Sequence, residues 1–212
     1  MMPMLQALDL ACVRGDRRLF RGLSFAVESG QVLRVEGANG AGKTSLLRLL
    51  AGLGLPAAGE VHWQGRPVRR QREAYGAALV YLGHLTGLKD ELTPIENLRV
   101  DAGLAGIGGS GASPDDAALL GALRTWGIER QARLPLRVLS AGQRRRAALA
   151  RLQLSVAPLW ILDEPFTALD VDAVRQLGAV IDAHLSRGGL AVVTSHQDVP
   201  VGAARMRSLR LS

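Results

Sequence analysis

Short apolar runs alternate with segments of helical spacing along the first part of the chain. Residues 32–35 form an apolar run between Gly30 and a glycine-rich turn, a pattern that predicts a short buried strand. Residues 45–53 place leucines at helical spacing before Gly54 and Pro56, and they predict a helix that ends at Gly54. The predicted order is therefore strand, loop, helix.

The rest of the chain continues this alternation of strands and helices. Apolar runs predict three further strands, at residues 79–82, 158–162 and 190–194. The last run contains the continuous sequence Ala191-Val192-Val193, which is typical of strands buried in a parallel sheet. Strands that alternate with helices predict an α/β fold in which helices cover a sheet.

A helical insertion is predicted between residues 83 and 139, where helical spacing dominates. A glycine-rich stretch at residues 103–113 interrupts this spacing, and it is interpreted as a surface connector rather than as a binding loop. The chain shows no internal repeat, which excludes a tandem arrangement of two similar halves.

The composition fits a folded protein and excludes several other classes. With 212 residues, 48% of them hydrophobic and 21% charged, the chain is long enough to bury a core and too apolar to be disordered. Cys12 is the only cysteine, which excludes an internal disulfide and a cysteine-rich zinc site, and we expect an intracellular protein. No uncharged apolar run approaches the roughly 20 residues of a membrane span. The first residues lack the pattern of a signal peptide.

Basic residues outnumber acidic ones by 26 to 19, which gives a net charge of +7. Such a surplus is a weak indication of an anionic partner: a nucleotide, a nucleic acid or a lipid headgroup. One cluster could contact nucleic acid or lipid, or it could form a solvated face, and it consists of Arg66, Arg69, Arg70 and Arg72.

A phosphate-binding motif follows the first predicted strand and leads into the predicted helix at Ser45. The motif is Gly37-Ala38-Asn39-Gly40-Ala41-Gly42-Lys43-Thr44. Its glycines let backbone N–H groups turn towards a phosphate, and the helix start adds its positive end. Lys43 can neutralise charge on the β- and γ-phosphates, and the Thr44 hydroxyl can bind Mg²⁺. The motif therefore predicts binding of a nucleoside triphosphate.

Two carboxylates end the predicted strand at residues 158–162. Asp163 is placed to hold Mg²⁺ opposite Thr44, and Glu164 could activate the water that attacks the γ-phosphate. His196 follows the predicted strand at residues 190–194 and could reach the same phosphate. A lone histidine is more often structural, so this role depends on the neighbouring motifs.

A second helix start carries polar residues that suit an anion. The residues are Ser140-Ala141-Gly142-Gln143, and the predicted helix runs through Arg151. Ser140 is a suitable N-cap, and Gly142 leaves backbone N–H groups open. Taken alone, this helix start is either an anion site or simply a capped helix.

Together these motifs resemble those of the ATP-binding-cassette (ABC) ATPases in order and spacing, over essentially the whole chain. The resemblance implies a single P-loop α/β domain at residues 1–212, with a mainly parallel sheet, an N-terminal antiparallel β part and a helical subdomain at about residues 84–140. It implies hydrolysis of ATP with Mg²⁺. Glu164 and His196 would be catalytic, and Thr44 and Asp163 would bind the metal.

The resemblance also implies partners and one departure from the family pattern. Two copies would form a head-to-tail dimer in which one copy completes the ATP site of the other through Ser140, Ala141, Gly142 and Gln143. Asp170 would lie at the dimer interface. His84 stands where the family usually has a glutamine that contacts Mg²⁺, so metal contact at His84 is an open question.

One branch of the family is especially similar: the ATP-binding subunit of the haem exporter in bacterial cytochrome c maturation. The similarity rests on Trp63-Gln64-Gly65, Tyr81-Leu82-Gly83-His84, Leu139-Ser140-Ala141-Gly142-Gln143-Arg144-Arg145, Leu159-Trp160-Ile161-Leu162-Asp163-Glu164-Pro165-Phe166-Thr167 and Thr194-Ser195-His196-Gln197. It implies a peripheral protein on the cytoplasmic face of the bacterial inner membrane, bound to integral membrane subunits and supporting haem delivery to a periplasmic haem chaperone. Cys12, His62 and His184 would be structural.

Two other functions remain open. The chain could energise transport of another cargo, such as a lipid, a metal or a small hydrophobic molecule. It could also be a soluble cassette ATPase acting on nucleic acid, a ribosome or a cofactor-assembly scaffold. The chain has neither a long coiled-coil insertion nor a second cassette, so nucleic acid is not an expected partner.

Overall fold

The computed structural model describes residues 4–104, 114–196 and 198–211. The chain divides into two compact units. The first combines Met1–Gly83, Ala157–Pro165 and Ile181–Ser212, and the second combines His84–Val156 and Phe166–Val180. The single domain at residues 1–212 and the helical subdomain at about residues 84–140 stay predictions.

The chain begins with two long strands, after which strands and helices are interspersed, with three successive helices between β6 and β7. In chain order the elements are β1 (Leu5–Arg14), β2 (Arg17–Val27), β3 (Val32–Glu36), α1 (Lys43–Leu50), β4 (Ala58–Trp63), β5 (Arg66–Pro67), α2 (Arg72–Ala77), β6 (Leu79–Leu82), α3 (Pro94–Leu104), α4 (Asp116–Thr125), α5 (Ala141–Leu154), β7 (Leu159–Leu162), α6 (Val171–Ser186), β8 (Leu190–Thr194) and β9 (Met206–Arg210). Among the described residues, no helix combines the length and the apolar character needed to cross a bilayer.

The first unit contains two sheets. One is antiparallel with the strand order β2-β1-β4-β5, and the other is parallel with the order β6-β7-β8-β3-β9. Every residue of β7 and β8 is buried, as continuous apolar runs predict for a parallel sheet. The predicted strands at residues 79–82 and 190–194 are confirmed at both ends. The other two predicted strands differ by one residue, since β3 continues to Glu36 and β7 begins at Leu159.

Helix α1 joins the core of the first unit through its leucines. Leu46, Leu47 and Leu50 are fully buried in the same cluster as residues of β1, β3, β7 and β8. The predicted helix end at Gly54 was wrong, because α1 ends at Leu50 and Gly52 then takes a left-handed φ of 71°. Glycine enters that conformation at little cost, so the chain turns there.

The second unit is built on α3, α4 and α5, which pack against one another. Its buried side chains include Leu98, Leu119, Leu123 and Leu152. Helix α5 begins directly after Ser140, as predicted, and continues three residues past the predicted end at Arg151. Of the predicted connector at residues 103–113, the first two residues belong to α3, and residues 105–113 lie outside the described residues.

A buried aromatic stack joins β7 to α6 within the first unit. The rings of Trp160 and His184 lie 3.8 Å apart between centroids with an interplanar angle of 7°. The side chain of His184 reaches the carbonyl oxygen of Leu190 at 3.2 Å. Burial lowers the pKa of His184 to about 4, against hydrogen bonds to backbone that raise it. The geometry supports the structural role predicted for His184.

This lowered pKa predicts that acid destabilises the protein through His184. Between pH 6.5 and pH 4 the unfolded chain binds this proton and the folded chain does not, so the free energy of unfolding falls as the pH falls. The shift corresponds to a loss of about 2 kcal/mol between about pH 7.5 and about pH 5. Urea unfolding at both pH values should show that loss in the wild type and a smaller one in His184→Phe, and equal losses would contradict the prediction.

Candidate functional site

Three neighbouring parallel strands end at the same edge of the sheet. Strand β8 lies between β7 and β3. The phosphate loop follows β3, Asp163 and Glu164 follow β7, and His196 follows β8. Ligands of open parallel sheets bind outside the carboxyl ends of the strands, so the strand order collects these residues where a ligand would bind.

The phosphate loop requires glycine at two close approaches. Gly37 and Gly42 have φ values of 149° and 98°. A Cβ atom at position 37 would lie 2.8 Å from the carbonyl oxygen of Leu211, and one at position 42 would lie 3.1 Å from the Cβ of Leu19. Larger residues would therefore displace the loop from its neighbours.

The side chain of Lys43 folds back onto the start of the phosphate loop. Lys43 is the first residue of α1 and only 9% exposed. Its Nζ donates to the carbonyl oxygen of Gly37 at 2.8 Å and to that of Ala38 at 3.4 Å. The positive charge is thus held at the loop, where a phosphate would need neutralising. Of the predicted nucleotide-binding residues 37–45, the exposed ones are Ala38, Asn39, Gly40 and Thr44, and the half-buried ones are Gly37, Ala41, Gly42 and Ser45.

The acidic pair is held to the end of β8 by a hydroxyl group. Asp163 is 1% exposed, and its Oδ1 accepts a hydrogen bond of 2.7 Å from Thr194 Oγ1. The same hydroxyl oxygen accepts the backbone N–H of Glu164 at 2.8 Å. Glu164 has a φ of 49°, a left-handed value that is uncommon outside glycine. The acidic turn is therefore fixed by a long-range contact.

His196 lies close to two predicted site residues. Its Nε2 is 3.4 Å from Glu164 Oε1 and 3.5 Å from Lys43 Nζ. Depending on the tautomer, this nitrogen can donate to the carboxylate or accept from the ammonium. The side chain is 57% exposed, whereas that of Glu164 is 20% exposed. His196 can therefore contact both solvent and the Glu164 carboxylate.

The donor chemistry of this edge fits Mg²⁺ bound together with phosphates. Within the described ranges, no group of three or more His, Cys, Asp or Glu residues could hold a metal ion. Mg²⁺ usually takes one or two carboxylates plus substrate phosphates and water, so a larger cluster is not needed. Asp163 and the Thr44 hydroxyl offer oxygen ligands of that kind. The pKa of Tyr81 is raised by burial and, secondly, by the negative charge of Asp163.

In the second unit, Ser140 and Gln143 form a capping box at the start of α5. Ser140 Oγ accepts the Gln143 N–H at 3.2 Å, and Gln143 Oε1 accepts the Ser140 N–H at 2.9 Å. Ser140 and Ala141 are exposed, and Gly142 lies against the carbonyl oxygen of Ala168, 3.4 Å from where its Cβ would be. The cap is thus confirmed, and the role of this segment towards a second copy stays a prediction.

Asp170 and His84 also belong to the second unit. One carboxylate oxygen of Asp170 accepts from Arg146, and the other accepts the Ala173 N–H at 2.9 Å, which caps the first turn of α6. The Asp170 side chain remains 59% exposed. His84 follows β6 and is exposed. The interface role of Asp170 and the metal contact of His84 stay predictions.

Sequence reasoning missed Thr194 as a site residue. The motif around His196 included this threonine, but no role followed from it. The available signal was a hydroxyl side chain at the end of an otherwise apolar strand. Cys12 and His62 were predicted to be structural. Burial raises the pKa of the Cys12 thiol, against a hydrogen bond with Ser45 that lowers it, and His62 Nε2 lies 2.9 Å from Glu60 Oε2.

Comparison with known proteins identifies close relatives. Residues 20–167 match the family model described as ABC transporter. The cytochrome c biogenesis ATP-binding export protein CcmA of Dechloromonas aromatica is 52% identical, over 98% of this chain and 100% of the relative. The protein of the same name from Nitrosospira multiformis is 47% identical, over 100% of both chains.

The fold also matches a solved structure. A dimeric ATP-binding cassette in a post-hydrolysis state, bound to ADP and Pi, has a TM-score of 0.83 and 21% identity, covering 99% of this chain and 94% of that one. At this identity the likeness concerns the fold alone, and it confirms the predicted α/β class. The family match and the near-full-length relatives establish that the chain belongs to the ABC transporter family.

Proposed function

We propose that this chain is the ATP-hydrolysing subunit of an ABC transporter that exports haem for c-type cytochrome biogenesis. The proposed ATPase activity rests on one observation. The carboxyl ends of β3, β7 and β8 bring Lys43 of the phosphate loop together with Asp163, Glu164 and His196. The names of the relatives support the export part, since they are cytochrome c biogenesis export proteins. The proposed unit is one domain at residues 1–212 with a helical subdomain at about residues 84–140.

The residues at this edge of the sheet have separate roles in ATP hydrolysis: phosphate binding, metal binding and activation of water. Backbone N–H groups of residues 37–45 bind the phosphates of ATP, and Lys43 neutralises their charge. Mg²⁺, held by Thr44 and Asp163, would supply positive charge to the phosphate oxygens. Glu164 accepts a proton from the attacking water, and His196 orients the Glu164 carboxylate from 3.4 Å.

A second copy of the chain is the proposed partner for each ATP site. Ser140 to Gln143 of that copy would face the γ-phosphate in a head-to-tail dimer, with Asp170 at the interface. The exposure of Ser140, Ala141 and Asp170 in the single chain supports this arrangement. The similar solved cassette is itself dimeric.

Integral membrane subunits are the second proposed partner, at the cytoplasmic face of the inner membrane. An ATPase without a spanning helix in its described residues needs such subunits to act on a cargo across a bilayer. Nucleic acid is not a proposed partner, because the relatives are named as export proteins. In addition, the arginine cluster at residues 66–72 is partly engaged in an ion pair within the chain. Arg69 pairs with Glu60 there.

The cargo is tested by deleting the gene and staining membranes for covalently bound haem. We expect loss of c-type cytochromes, with recovery on expression of the wild-type chain but not of Lys43→Ala. Normal c-type cytochromes in the deletion strain would contradict haem export. ATP hydrolysis by the purified chain would then still support a transporter ATPase for another cargo.

A further inference from the structure

Thr194 is the last residue of β8 and occupies a central position at the strand edge. Its neighbour in β3 is Val35, directly before Glu36 and the phosphate loop, while on the other side β8 pairs with β7. The residue is fully buried. Its hydroxyl group is therefore not available to solvent. Both of its hydrogen bonds are made with residues of the candidate site.

These two hydrogen bonds join the acidic residues to each other. Thr194 Oγ1 donates to Asp163 Oδ1 at 2.7 Å and accepts from the Glu164 N–H at 2.8 Å. One oxygen thus fixes the orientation of the Asp163 carboxylate and the position of the Glu164 backbone. A change at this oxygen affects both residues at once.

The hydrogen bond from the Glu164 N–H to Thr194 Oγ1 matters because the backbone of Glu164 has an uncommon conformation. A φ of 49° is sparsely populated for a residue with a side chain and persists where the surroundings hold it. Threonine is suited to hold it, because its β-branched side chain has few χ1 rotamers and keeps the hydroxyl in a fixed direction. Valine has the same shape but can form neither hydrogen bond.

We infer that Thr194 is a positioning residue for ATP hydrolysis, which aligns Glu164 with the attacking water and Asp163 with the metal. The inference rests on the proposed ATPase function. Thr194 acts through these two neighbours and not on the nucleotide. The phosphate loop has its own contacts through Lys43 and its glycines, so ATP binding is not expected to depend on Thr194.

Steady-state phosphate release by the purified full chain tests this role in Thr194→Val and Thr194→Ser. We expect Thr194→Val to lower kcat by about 10- to 100-fold, a typical cost of removing a partner that orients a ligand-bearing side chain. KM for ATP should change by less than about twofold, because the lost contacts act on the chemical step. Thr194→Ser retains the hydroxyl and should recover most of kcat.

Thr125→Val is the matched control, since it removes a threonine hydroxyl that bonds only within α4, to the carbonyl oxygen of Gly121 at 3.1 Å. It should keep wild-type kcat and KM. Thermal unfolding shows whether Thr194→Val is folded. If it is not, Thr194→Ala removes the same hydroxyl without placing a methyl group where the oxygen was. The same loss of kcat at unchanged KM is expected from it.

The outcomes separate this inference from the proposed function. Wild-type kcat in both Thr194→Val and Thr194→Ala, or a loss confined to KM, overturns the positioning role while loss of turnover in Glu164→Gln still supports the ATPase. Failure of Thr194→Ser to recover activity also overturns it. If the purified wild-type chain releases no phosphate from ATP, the proposed function fails and the inference falls with it. Wild-type turnover in Glu164→Gln would instead remove Glu164 from the role of base, and the positioning role of Thr194 with it.

Discussion

Lys43→Ala is expected to lower the affinity for ATP by about 100-fold or more, which corresponds to roughly 3 kcal/mol of lost charge-assisted hydrogen bonding to phosphates. The structural reason is the position of the ammonium group, which is nearly buried and bonded to the carbonyl oxygens of Gly37 and Ala38. Alanine removes the positive charge from the loop and leaves phosphate repulsion uncompensated. Calorimetric titration with ATP and Mg²⁺ measures the change.

The chain provides a matched control for this variant. Lys89 is the only other lysine, and it is exposed. Its backbone exchanges hydrogen bonds with Asn97, so alanine at position 89 leaves those contacts in place. Lys89→Ala should bind ATP like the wild type. Tight binding by a folded Lys43→Ala protein would refute the assignment of the phosphate loop.

Glu164→Gln is expected to lower kcat by roughly 10²- to 10⁴-fold, the usual contribution of a positioned general base. Glutamine keeps the size of the side chain and the backbone bond to Thr194, but it cannot accept the proton from water. ATP binding should persist because the loop is untouched. Phosphate release and gel filtration with ATP and Mg²⁺ should show a protein that binds, does not hydrolyse and accumulates as a dimer.

Glu129→Gln is the control for loss of a carboxylate charge. Glu129 pairs with Arg124 on the surface of the second unit, so its variant should keep wild-type turnover. Turnover at the wild-type rate in Glu164→Gln would remove Glu164 from the role of base. A variant that neither binds nor hydrolyses ATP would indicate a damaged loop instead.

The buried strands were predictable because their environment is uniform. β8 was predicted to the residue, since strands inside a parallel sheet consist of consecutive apolar residues. The apolar run of the edge strand β6 was also predicted to the residue, although only Leu82 in it is buried. Helix ends were less predictable. The leucines continue to Leu53, yet α1 ends at Leu50, because the left-handed turn at Gly52 redirects the chain.

The N-terminal antiparallel sheet did not follow from periodicity. In β1 the pairing with β2 shifts register after Ala7, Leu10 and Cys12, so inward and outward positions do not alternate regularly. Asp9 has a φ of 49° within that strand. Only the resemblance to ABC ATPases implied an antiparallel part, because register shifts depend on the partner strand and not on the local sequence.

The sequence by itself determined the chemical groups of this site and their order along the chain. The phosphate loop, Asp163 and Glu164 were predicted as site residues because each proposed role needs a particular residue type next to a strand or helix end, and the prediction for His196 depended on these neighbouring motifs. The tertiary structure alone decided that β8 lies between β7 and β3 and that Thr194 joins two acidic residues about 30 positions away. Strand order arises from packing and hydrogen bonding between distant segments, which no local pattern records.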